Sequence, residues 1–436
     1  SDYSVHSAIL KSSEAWPLPF SSANALEKTS TAISQNQLSI NRKPIPQESI
    51  MSDQQRIVIV GGGTAGITVA AQLQTQKPEL NITLFEPSEK HYYQPMWTLV
   101  GGGIFPKEES ERNEADYIPR GVNWVKDYVD SFDPGNNTIK TRSGESIGYD
   151  CLVVSPGLQL NWTDIKGLSK EVVGTNGICS KYSFDTVETT WKTLQGFQGG
   201  TALFTHPLGA VKCGGAPVKI CFLAEDFFRK QGIREKCNVI FGAAMPRIFA
   251  VDRYATTLEE IVGRRNIDVR LNQDLVEIRP EAREAIFQDI QSDEQKTIKY
   301  DMIHVTPKMG PPDFIKNSPL AGEGGWVDVD KHSTQHTKFE NVFALGDCSN
   351  LPTSKTGAAI RKQAPATVAN ILALVEGRPF DGHYDGYTSC PLVTSYNSMV
   401  LAEFDYDKNP QESFPFDQSK ERIIMMMLKK HGLPNH

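Results

Sequence analysis

The segment Arg56–Glu86 constrains the fold of this chain more than any other stretch. It opens with an apolar, β-branched run, Ile57–Val60, which is typical of a buried parallel strand. The turn that follows has the spacing G-x-G-x-x-G, and its glycines are Gly61, Gly63 and Gly66. A helical run comes next, and a second apolar run ends at Glu86, twenty residues after the last of these glycines. The order strand, glycine turn, helix and strand predicts a βαβ unit.

Each part of this unit has a physical role in binding a dinucleotide. Gly61 permits the tight turn, Gly63 leaves room for a pyrophosphate, and Gly66 lets the helix pack close to the strand. The helix N-terminus faces the phosphates. Glu86 can accept hydrogen bonds from both ribose hydroxyls, and its charge repels a 2′-phosphate. A glycine-rich turn without a ligand is the alternative, but the four parts in this order favour a dinucleotide site.

The composition of the 436 residues excludes several classes of protein. The length allows roughly two to three domains, and 39% hydrophobic with 22% charged residues is ordinary for a soluble globular chain. A net charge of −7 argues against a nucleic-acid binder. The seven cysteines include no C-x-x-C pair, which excludes a zinc ribbon and a thioredoxin-type motif, and no metal site is predicted. No apolar run approaches the ~20 residues that span a bilayer, so any membrane contact is expected from one side.

Residues 1–50 are predicted to form a disordered leader. They are rich in Ser and Thr, with four acids, four bases and no clear period. The lack of a continuous apolar core excludes a signal peptide, and the single arginine, Arg42, fits a mitochondrial transit peptide poorly. Met51, just before the first strand, is a candidate native start, which leaves the role of the leader open.

The rest of the chain predicts an α/β fold with two Rossmann-like domains and a small C-terminal, membrane-facing region. Strand patterns at 122–130, 138–141 and 149–155 complete the first unit, and a second α/β unit follows with strands at 201–205, 239–241, 269–271 and 302–305. The dinucleotide-binding domain is predicted in two parts, the first at 51–160 and the second at 310–385. The second Rossmann-like domain is predicted at 161–309, and the C-terminal region at 386–436.

The second unit lacks the glycine pattern of a pyridine-nucleotide site. After the strand Val239–Phe241, where we expect such glycines, the chain reads Gly242-Ala-Ala-Met-Pro-Arg. Met245 and Pro246 would obstruct a pyrophosphate, and the proline removes a backbone donor. We therefore expect one tightly bound dinucleotide, with NAD(P)H excluded as the second substrate.

Two further patterns carry chemistry. Gly346-Asp347 follows a short apolar strand. Its glycine admits a ligand and its carboxylate can hold a polyol chain, as in the FAD site of two-domain flavoproteins; an ordinary turn is the alternative.

Cys213 lies between Lys212 and Lys219 and before a predicted helix, and all three features favour its thiolate. Cys390 precedes a proline, which predicts an exposed loop. From the residues alone, a buried packing role stays open for both cysteines and is expected for the other five.

Five motifs together resemble the sulfide:quinone oxidoreductase family of the mitochondrial and related bacterial type. In order they are HYYQPMWTLVGGG, KCGGAPVK, FALGDCSNLPTSKTGAA, TSCPLVTSYNSMVLAEFDY and FPFDQSKER. The resemblance runs from about Arg56 to Lys430. It implies a flavoenzyme that holds FAD non-covalently, oxidises hydrogen sulfide through two redox cysteines, and reduces ubiquinone or another quinone in a membrane.

The resemblance also assigns roles to residues. Cys213 and Cys390 match the redox pair, and Lys219 and Lys429 are expected to steer a small sulfur acceptor such as glutathione or sulfite, with a solvated lysine as the alternative for each. The residues that match the FAD site are Gly61, Gly63, Thr64, Ala65, Gly66, Glu86, Gln94, Val129, Gly346, Asp347 and Lys355.

The implied chemistry starts from a Cys213–Cys390 disulfide, or a bridge with extra sulfur, beside the flavin. Hydrosulfide attacks the more exposed sulfur, expected to be that of Cys390, and releases the Cys213 thiolate. The thiolate donates electrons to the flavin, the quinone takes them up, and the acceptor removes the persulfide sulfur.

The C-terminal region, 386–436, is expected to carry Cys390 and to face the quinone and the membrane. Its run Glu421–Lys430 is apolar and flanked by charge, which is typical of a helix on a bilayer surface, with a core helix as the alternative. Peripheral binding is expected at the mitochondrial inner membrane, or at the cytoplasmic membrane of a bacterium.

Two other functions share some of these features. A type II NADH:quinone dehydrogenase would have the same fold, FAD and quinone, but it needs a glycine-rich loop near Gly242 and no cysteine pair. A flavin-containing sulfide sensor would form persulfides without turnover. Reduction of decylubiquinone by sulfide would separate the oxidoreductase from the sensor.

Overall fold

A computed structural model describes residues 54–432, in which parallel strands alternate with helices. The predicted leader, residues 1–50, lies outside the described residues. In chain order the strands are β1 (Arg56–Val60), β2 (Asn81–Phe85), β3 (Lys90–Tyr92), β4 (Glu111–Asn113), β5 (Asn123–Val125), β6 (Val129–Asp133), β7 (Thr138–Thr141), β8 (Ser146–Gly148), β9 (Cys151–Val154), β10 (Gln159–Asn161), β11 (Ile178–Cys179), β12 (Gly200–His206), β13 (Cys237–Ala243), β14 (Asp268–Leu271), β15 (Gln273–Arg279), β16 (Glu284–Asp289), β17 (Gln295–Lys299), β18 (Met302–His304), β19 (Lys308–Gly310), β20 (Val342–Ala344), β21 (Thr388–Val393) and β22 (Met399–Phe404).

The α-helices connect these strands and cover the faces of the sheets. In chain order they are α1 (Thr64–Gln76), α2 (Trp97–Gly101), α3 (Val187–Gly196), α4 (Ala216–Lys230), α5 (Asp252–Arg264), α6 (Asp313–Lys316), α7 (Gly357–Val375) and α8 (Ile423–Met427). Among the described residues, none of these helices is long and apolar enough to cross a bilayer.

The first parallel sheet has the strand order β20-β9-β1-β2-β5. Its central strand, β1, is apolar at successive positions because both faces of the sheet are covered. Ile57 and Ile59 belong to one apolar core, and Val58 and Val60 belong to another on the opposite face. The chain leaves this sheet after β9 and returns to it at β20, so the sheet is built from two separated parts of the sequence.

The second parallel sheet has the order β11-β18-β12-β13-β14. The two parallel sheets confirm the predicted α/β class with two Rossmann-like units. The chain passes out of the first unit along β10 and back along β19, and these two strands pair antiparallel. The strands predicted within the second unit are present as β12, β13, β14 and β18, and each differs from the prediction by one or two residues at one or both ends.

The second sheet places its ligand-binding loop differently from our prediction. From β12 the chain continues through α4 to β13, which is the neighbour of β12 on one side. The neighbour of β12 on the other side is β18, so the strand order reverses at the carboxyl end of β12. Doubly wound sheets bind dinucleotides at such a reversal. The prediction that the corresponding loop follows β13 was therefore wrong. The loop after β12, residues 207–215, reads PLGAVKCGG, has no G-x-G-x-x-G spacing, and carries Cys213.

Smaller antiparallel sheets complete the described part of the chain. The predicted strand at 122–130 is in fact two strands, since β5 joins the first parallel sheet and β6 forms a three-stranded sheet with β7 and β8. β15, β16 and β17 form a second meander, which the sequence patterns did not predict. The β21–β22 hairpin and α8 share one apolar core with α4, so the C-terminal region is packed onto the second unit.

Candidate active site

The glycine turn after β1 has the conformation that the sequence predicts. Gly61 has φ +99°, and a methyl group added there would lie 2.6 Å from the Ser155 carbonyl oxygen. A methyl group added at Gly66 would lie 1.9 Å from the Gly61 carbonyl oxygen. Only hydrogen fits at these two positions, so they bring α1 close to β1.

Gly63 is different, because a methyl group added there would meet nothing within 4 Å in this structure. Gly63 and Thr64 are exposed, and Gly63 is the N-cap of α1 without a side-chain acceptor for the first-turn N–H groups. Those N–H groups lack intrahelical partners and are available to an anion. The open glycine and the uncapped helix end together fit the pyrophosphate of FAD.

Glu86 lies at the end of β2, beside the glycine turn. Its carboxylate accepts hydrogen bonds from the Gly62 N–H at 2.9 Å and the Ser88 N–H at 2.8 Å. Burial raises the pKa of Glu86, and the two N–H donors counteract that shift. Each carboxylate oxygen keeps a further lone pair that can accept from a ribose hydroxyl. Val129 is buried with Phe85, the residue before Glu86, in the same apolar core.

The turn Gly346-Asp347 lies against the start of α1. Gly346 has φ +75°, and a methyl group added there would lie 3.3 Å from the Ala65 side chain. Burial raises the pKa of Asp347, and Lys355 and Lys212 oppose the rise. The Lys355 ammonium donates to the backbone oxygens of Asp347 at 2.7 Å and Ser349 at 3.0 Å. The two halves of the predicted FAD site are thus adjacent, although they are far apart in sequence.

Backbone contacts join this turn to the loop that carries Cys213. The Cys213 N–H donates to the Lys355 carbonyl at 2.8 Å. The neighbouring Lys212 ammonium donates to the Gln94 side-chain oxygen at 2.7 Å. The loop after β12 is therefore fixed to two of the residues assigned to the FAD site.

The two predicted redox cysteines lie side by side. Their sulfur atoms are 3.1 Å apart. Cys213 is partly exposed and has φ +58°, and Cys390 lies in β21. Gly215 leaves the space for this approach, because a methyl group added there would lie 2.6 Å from the Cys390 sulfur and 2.3 Å from Leu392 Cδ2.

The prediction that Cys390 lies in an exposed loop was wrong. Its side chain is 1% exposed, and the strand continues through Pro391. β21 pairs only with β22 in its two-stranded sheet, and proline is tolerated in such an edge strand. Cys213 is therefore the more exposed sulfur of the pair. The other five cysteines are buried, as expected, and burial raises their pKa values.

Lys219 is the nearest cation to the pair. Its ammonium lies 3.1 Å from the Cys213 sulfur and 3.9 Å from the Cys390 sulfur. The Cys390 thiol, donating to the Cys213 sulfur, holds the pKa of Cys213 well below its usual value, and Lys219 adds to that effect. The same hydrogen bond raises the pKa of Cys390. The two shifts favour the thiolate on Cys213 and the thiol on Cys390.

Both lysines assigned to the sulfur acceptor are inside the protein. Lys219 is 4% exposed and Lys429 is 5% exposed, so the alternative of a solvated lysine is wrong for each. Burial lowers the pKa of Lys429 to about 8, and Lys219 adds to the shift. Lys212, which we expected to favour the thiolate, is directed to Gln94 instead.

Two residues near the pair were missed from the sequence. Lys181 and Tyr182 follow β11, and both are buried. Tyr182 belongs to a small apolar cluster with Val211 and Ala216, against which Cys213 packs. No local motif marks these positions, since they reach the site only through the pairing of β11 with β18.

Comparisons with known proteins identify the family to which the chain belongs. The sequence pattern of the family described as Pyridine nucleotide-disulphide oxidoreductase matches residues 55–370. The chain is 51% identical over 382 residues to the mitochondrial sulfide:quinone oxidoreductase of Dictyostelium discoideum, with 87% of this chain and 84% of the relative covered. It is 48% identical to the mitochondrial sulfide:quinone oxidoreductase of Mus musculus, with the same shares covered.

A solved structure shows the same fold. The sulfide:quinone oxidoreductase of the bacterium Aquifex aeolicus superposes with a TM-score of 0.74 at 22% identity, which covers 87% of this chain and 90% of that chain. The alignments with the two eukaryotic relatives each cover 87% of this chain. The chain therefore belongs to the sulfide:quinone oxidoreductase family.

Proposed function

We propose that this chain is an FAD-dependent enzyme that oxidises hydrogen sulfide and transfers two electrons to a quinone. The observation that carries the proposal is the pair of cysteine sulfurs 3.1 Å apart, with the Lys219 ammonium 3.1 Å from one of them. The loop that bears Cys213 is bonded to Lys355, whose ammonium in turn holds the Asp347 backbone. Sulfur chemistry and the cofactor site are thereby adjacent.

The residues of the first unit fit FAD. We assign the pyrophosphate to the N-terminus of α1 at Gly63, Thr64 and Ala65, the adenosine ribose to Glu86, and the ribityl chain to Asp347. Gly61, Gly66 and Gly346 permit the backbone approach, and Gln94, Val129 and Lys355 flank the cofactor. When bound, FAD supplies the two-electron oxidant for the cysteine pair and delivers the electrons to the quinone.

The cysteine pair performs the sulfur transfer. In its oxidised form a disulfide joins Cys213 and Cys390, and hydrosulfide attacks the Cys390 sulfur. A new S–S bond forms, the disulfide bond breaks, and the electron pair leaves on Cys213 as a thiolate, which gives a persulfide S–SH on Cys390. Exposure alone would direct attack to Cys213, but Cys213 is the better leaving group because its pKa is the lower of the two.

The remaining steps regenerate the pair. A small nucleophile, namely sulfite, the thiolate of glutathione or a second hydrosulfide, attacks the outer sulfur of the persulfide and carries it away as the S–S bond to Cys390 breaks. Lys219 and Lys429 offer positive charge to that anion at the buried sulfurs. Loss of two electrons from the pair then closes the disulfide again.

We propose further that α8 docks on a membrane surface, where the quinone is dissolved. Four apolar side chains of the last turns are exposed, namely Ile423, Ile424, Met427 and Leu428. Met425 and Met426 on the opposite face are buried in the core, so the helix is anchored to the protein while its outer face stays apolar. The relatives are named as mitochondrial enzymes, which supports a mitochondrial location, and within it we propose the inner membrane as that surface.

A quinone-reduction assay tests the proposal. The FAD-loaded full chain is mixed with decylubiquinone and with either sulfide or NADH, with sulfite as the sulfur acceptor. Reduction of decylubiquinone is expected with sulfide and not with NADH, because the loop after β12 carries Cys213 instead of a nucleotide-binding glycine pattern. Reduction with NADH and none with sulfide would overturn the proposal, and persulfide formation without quinone reduction would indicate a sensor.

A further inference from the structure

His206, the last residue of β12, is a buried imidazole that faces two backbone carbonyls. The residue is 5% exposed. Its Nδ1 lies 3.0 Å from the Pro207 carbonyl oxygen, and its Nε2 lies 3.2 Å from the Gly214 carbonyl oxygen. The ring therefore spans the loop after β12, residues 207–215, from its first residue to its second-to-last residue. Cys213 lies between the two contacts and directly precedes one of them.

The buried ring has one N–H for these two acceptors. Burial lowers the pKa of His206, and the two carbonyls and Asp274 act against that shift, so the ring is neutral at mildly alkaline pH. A neutral imidazole carries a proton on one nitrogen only. The start of the loop has a second anchor, because the Leu208 N–H donates to the Asp274 carboxylate at 3.1 Å and the Lys308 ammonium donates to the same carboxylate at 2.8 Å. The contact from Nε2 to Gly214 is the one that reaches across the loop.

The backbone after Cys213 depends on hydrogen bonds more than on packing. Gly214 follows Cys213, and glycine loses more backbone freedom on folding than any other residue. A methyl group added at Gly214 would meet nothing within 4 Å, so close packing around its α-carbon does not hold it. The Cys213 N–H donates to the Lys355 carbonyl at 2.8 Å, and the Cys213 carbonyl accepts from the Ala216 N–H at 2.7 Å. The contact with His206 fixes the next carbonyl along the chain.

We infer that His206 is a positioning residue for the cysteine pair, which donates from Nε2 to the Gly214 carbonyl and so holds the Cys213 sulfur within reach of Cys390. It rests on the proposed function, in which the pair closes a disulfide, and it adds a residue that the proposed function did not include. The two sulfurs are 3.1 Å apart, and a disulfide brings them to about 2 Å. A freer Cys213 backbone must lose more conformational entropy when the bond forms, so loss of the Nε2 bond disfavours the disulfide.

A thiol–disulfide equilibrium tests the inference without sulfide or quinone. The FAD-loaded full chain is equilibrated anaerobically, at mildly alkaline pH, with mixtures of reduced and oxidised dithiothreitol. Free thiols are then alkylated, and the Cys213–Cys390 disulfide is quantified by mass spectrometry. In this exchange the two cysteine thiols give two electrons and two protons to oxidised dithiothreitol, which becomes the dithiol. His206→Phe keeps a ring and removes both nitrogens, and it is expected to lower the equilibrium constant for disulfide formation about tenfold, which is about 30 mV.

Two polar variants separate the two contacts of the ring. The amide nitrogen of a glutamine reaches about as far as Nε2, and that of an asparagine reaches about as far as Nδ1. His206→Gln is therefore expected to restore the parent equilibrium, and His206→Asn is expected to be as impaired as His206→Phe. His336→Phe is the matched control, because His336 is also buried, at 4% exposed, and its Nε2 lies 3.1 Å from the Leu320 carbonyl oxygen. It is expected to leave the disulfide equilibrium unchanged.

Several results would overturn the inference. One is a parent-like equilibrium in His206→Phe, and another is an equal loss in the phenylalanine, glutamine and asparagine variants. Restoration by asparagine and not by glutamine would place the role at Pro207 and also overturn it. If His206→Phe does not fold, the comparison of the two polar variants decides the same question. Failure of the quinone assay in a parent enzyme that still closes the disulfide would refute the proposed function alone, and a parent that closes no disulfide would overturn both.

Discussion

Cys213 is the residue on which the proposed sulfur chemistry depends, and its backbone is unusual. A φ of +58° is rare for a side chain other than glycine, asparagine or aspartate, and it costs on the order of 1–3 kcal/mol. The surrounding contacts maintain it, since the Cys213 N–H is bonded to Lys355 and its carbonyl accepts from the Ala216 N–H at 2.7 Å. This geometry directs the sulfur toward Cys390.

The space beside the pair is predicted to be essential. Gly215→Ala should force the sulfurs apart, because its methyl group would overlap with the Cys390 sulfur and with Leu392. We expect at least a tenfold slower closure of the Cys213–Cys390 disulfide, measured by thiol titration during oxidation with diamide. Gly214→Ala is the matched control, since a methyl group there would meet nothing within 4 Å. Equal rates in the two variants would contradict the arrangement of the pair.

Lys219 is predicted to set the pH dependence of sulfide oxidation. The pKa of Cys213 is depressed in the folded protein, so the thiolate is present above that pKa and is lost as the pH falls through it. Lys219→Met should raise this pKa, which moves the acid limb of the rate of flavin reduction to higher pH, with about a tenfold slower rate on that limb. Stopped-flow measurements across pH check this result. Lys230→Met, at the exposed end of the same helix, should leave the profile unchanged.

Two elements carry the proposed contacts with the cofactor and with the membrane. The β1–α1 turn combines glycines that serve packing with one that serves the ligand. Helix α8 combines buried methionines with exposed isoleucines. Each element therefore contains positions at which folding and function can be separated by substitution.

The glycines of the β1–α1 turn should give two different phenotypes. Gly63→Ala is expected to leave the apoprotein as stable as the parent and to weaken FAD binding at least tenfold, since its methyl group enters the space assigned to the pyrophosphate. Gly66→Ala should lower the free energy of unfolding of the apoprotein by about 1–3 kcal/mol, because it overlaps with the Gly61 carbonyl. Thermal melts and fluorescence titration with FAD measure both quantities. Unchanged FAD binding in Gly63→Ala would show that the open space is not the pyrophosphate site.

Helix α8 is predicted to bind a lipid surface. Ile423 and Ile424 are each 64% exposed, and replacing both by serine should weaken binding to phosphatidylcholine–phosphatidylglycerol vesicles at least tenfold, because each isoleucine contributes about 1.5–3 kcal/mol when it is buried. Co-sedimentation with vesicles measures the effect. Leu208→Ser, at a residue 55% exposed elsewhere on the surface, is the control. Equal vesicle binding in the double variant and the parent would exclude α8 as the docking surface.

The features that could be predicted from the sequence are those that depend on residues close together in the chain. The turn from Gly61 to Gly66 and the helix after Cys213 depend on local spacing, so both appear where expected. Burial of Cys390 was not predictable, because a proline in an edge strand has the same local pattern as a proline in a loop. The position of Tyr182 was not predictable either, since strand pairing, and not spacing, brings it to the cluster against which Cys213 packs.

At the scale of the whole molecule, the second parallel sheet differs from that of a pyridine-nucleotide enzyme in the loop after β12. Its ligand-binding position, the loop after β12, holds the reactive cysteine and Lys212 where a pyridine-nucleotide enzyme holds glycines. The loop reaches the first unit through the bonds from Cys213 to Lys355 and from Lys212 to Gln94. The C-terminal hairpin supplies Cys390 from the other side, so three separate parts of the chain meet at the pair. The proposed sulfur chemistry is therefore adjacent to the residues proposed to bind FAD.

An anaerobic titration with sulfide tests the central claim most directly. The flavin absorbance of the FAD-loaded parent, Cys213→Ser and Cys390→Ser is followed while sulfide is added, with NADH added to a second sample of each. Sulfide should bleach the flavin of the parent and of neither variant, and NADH should bleach none of them. Unchanged bleaching in either variant would remove that cysteine from the pathway, and bleaching by NADH without bleaching by sulfide would contradict the account.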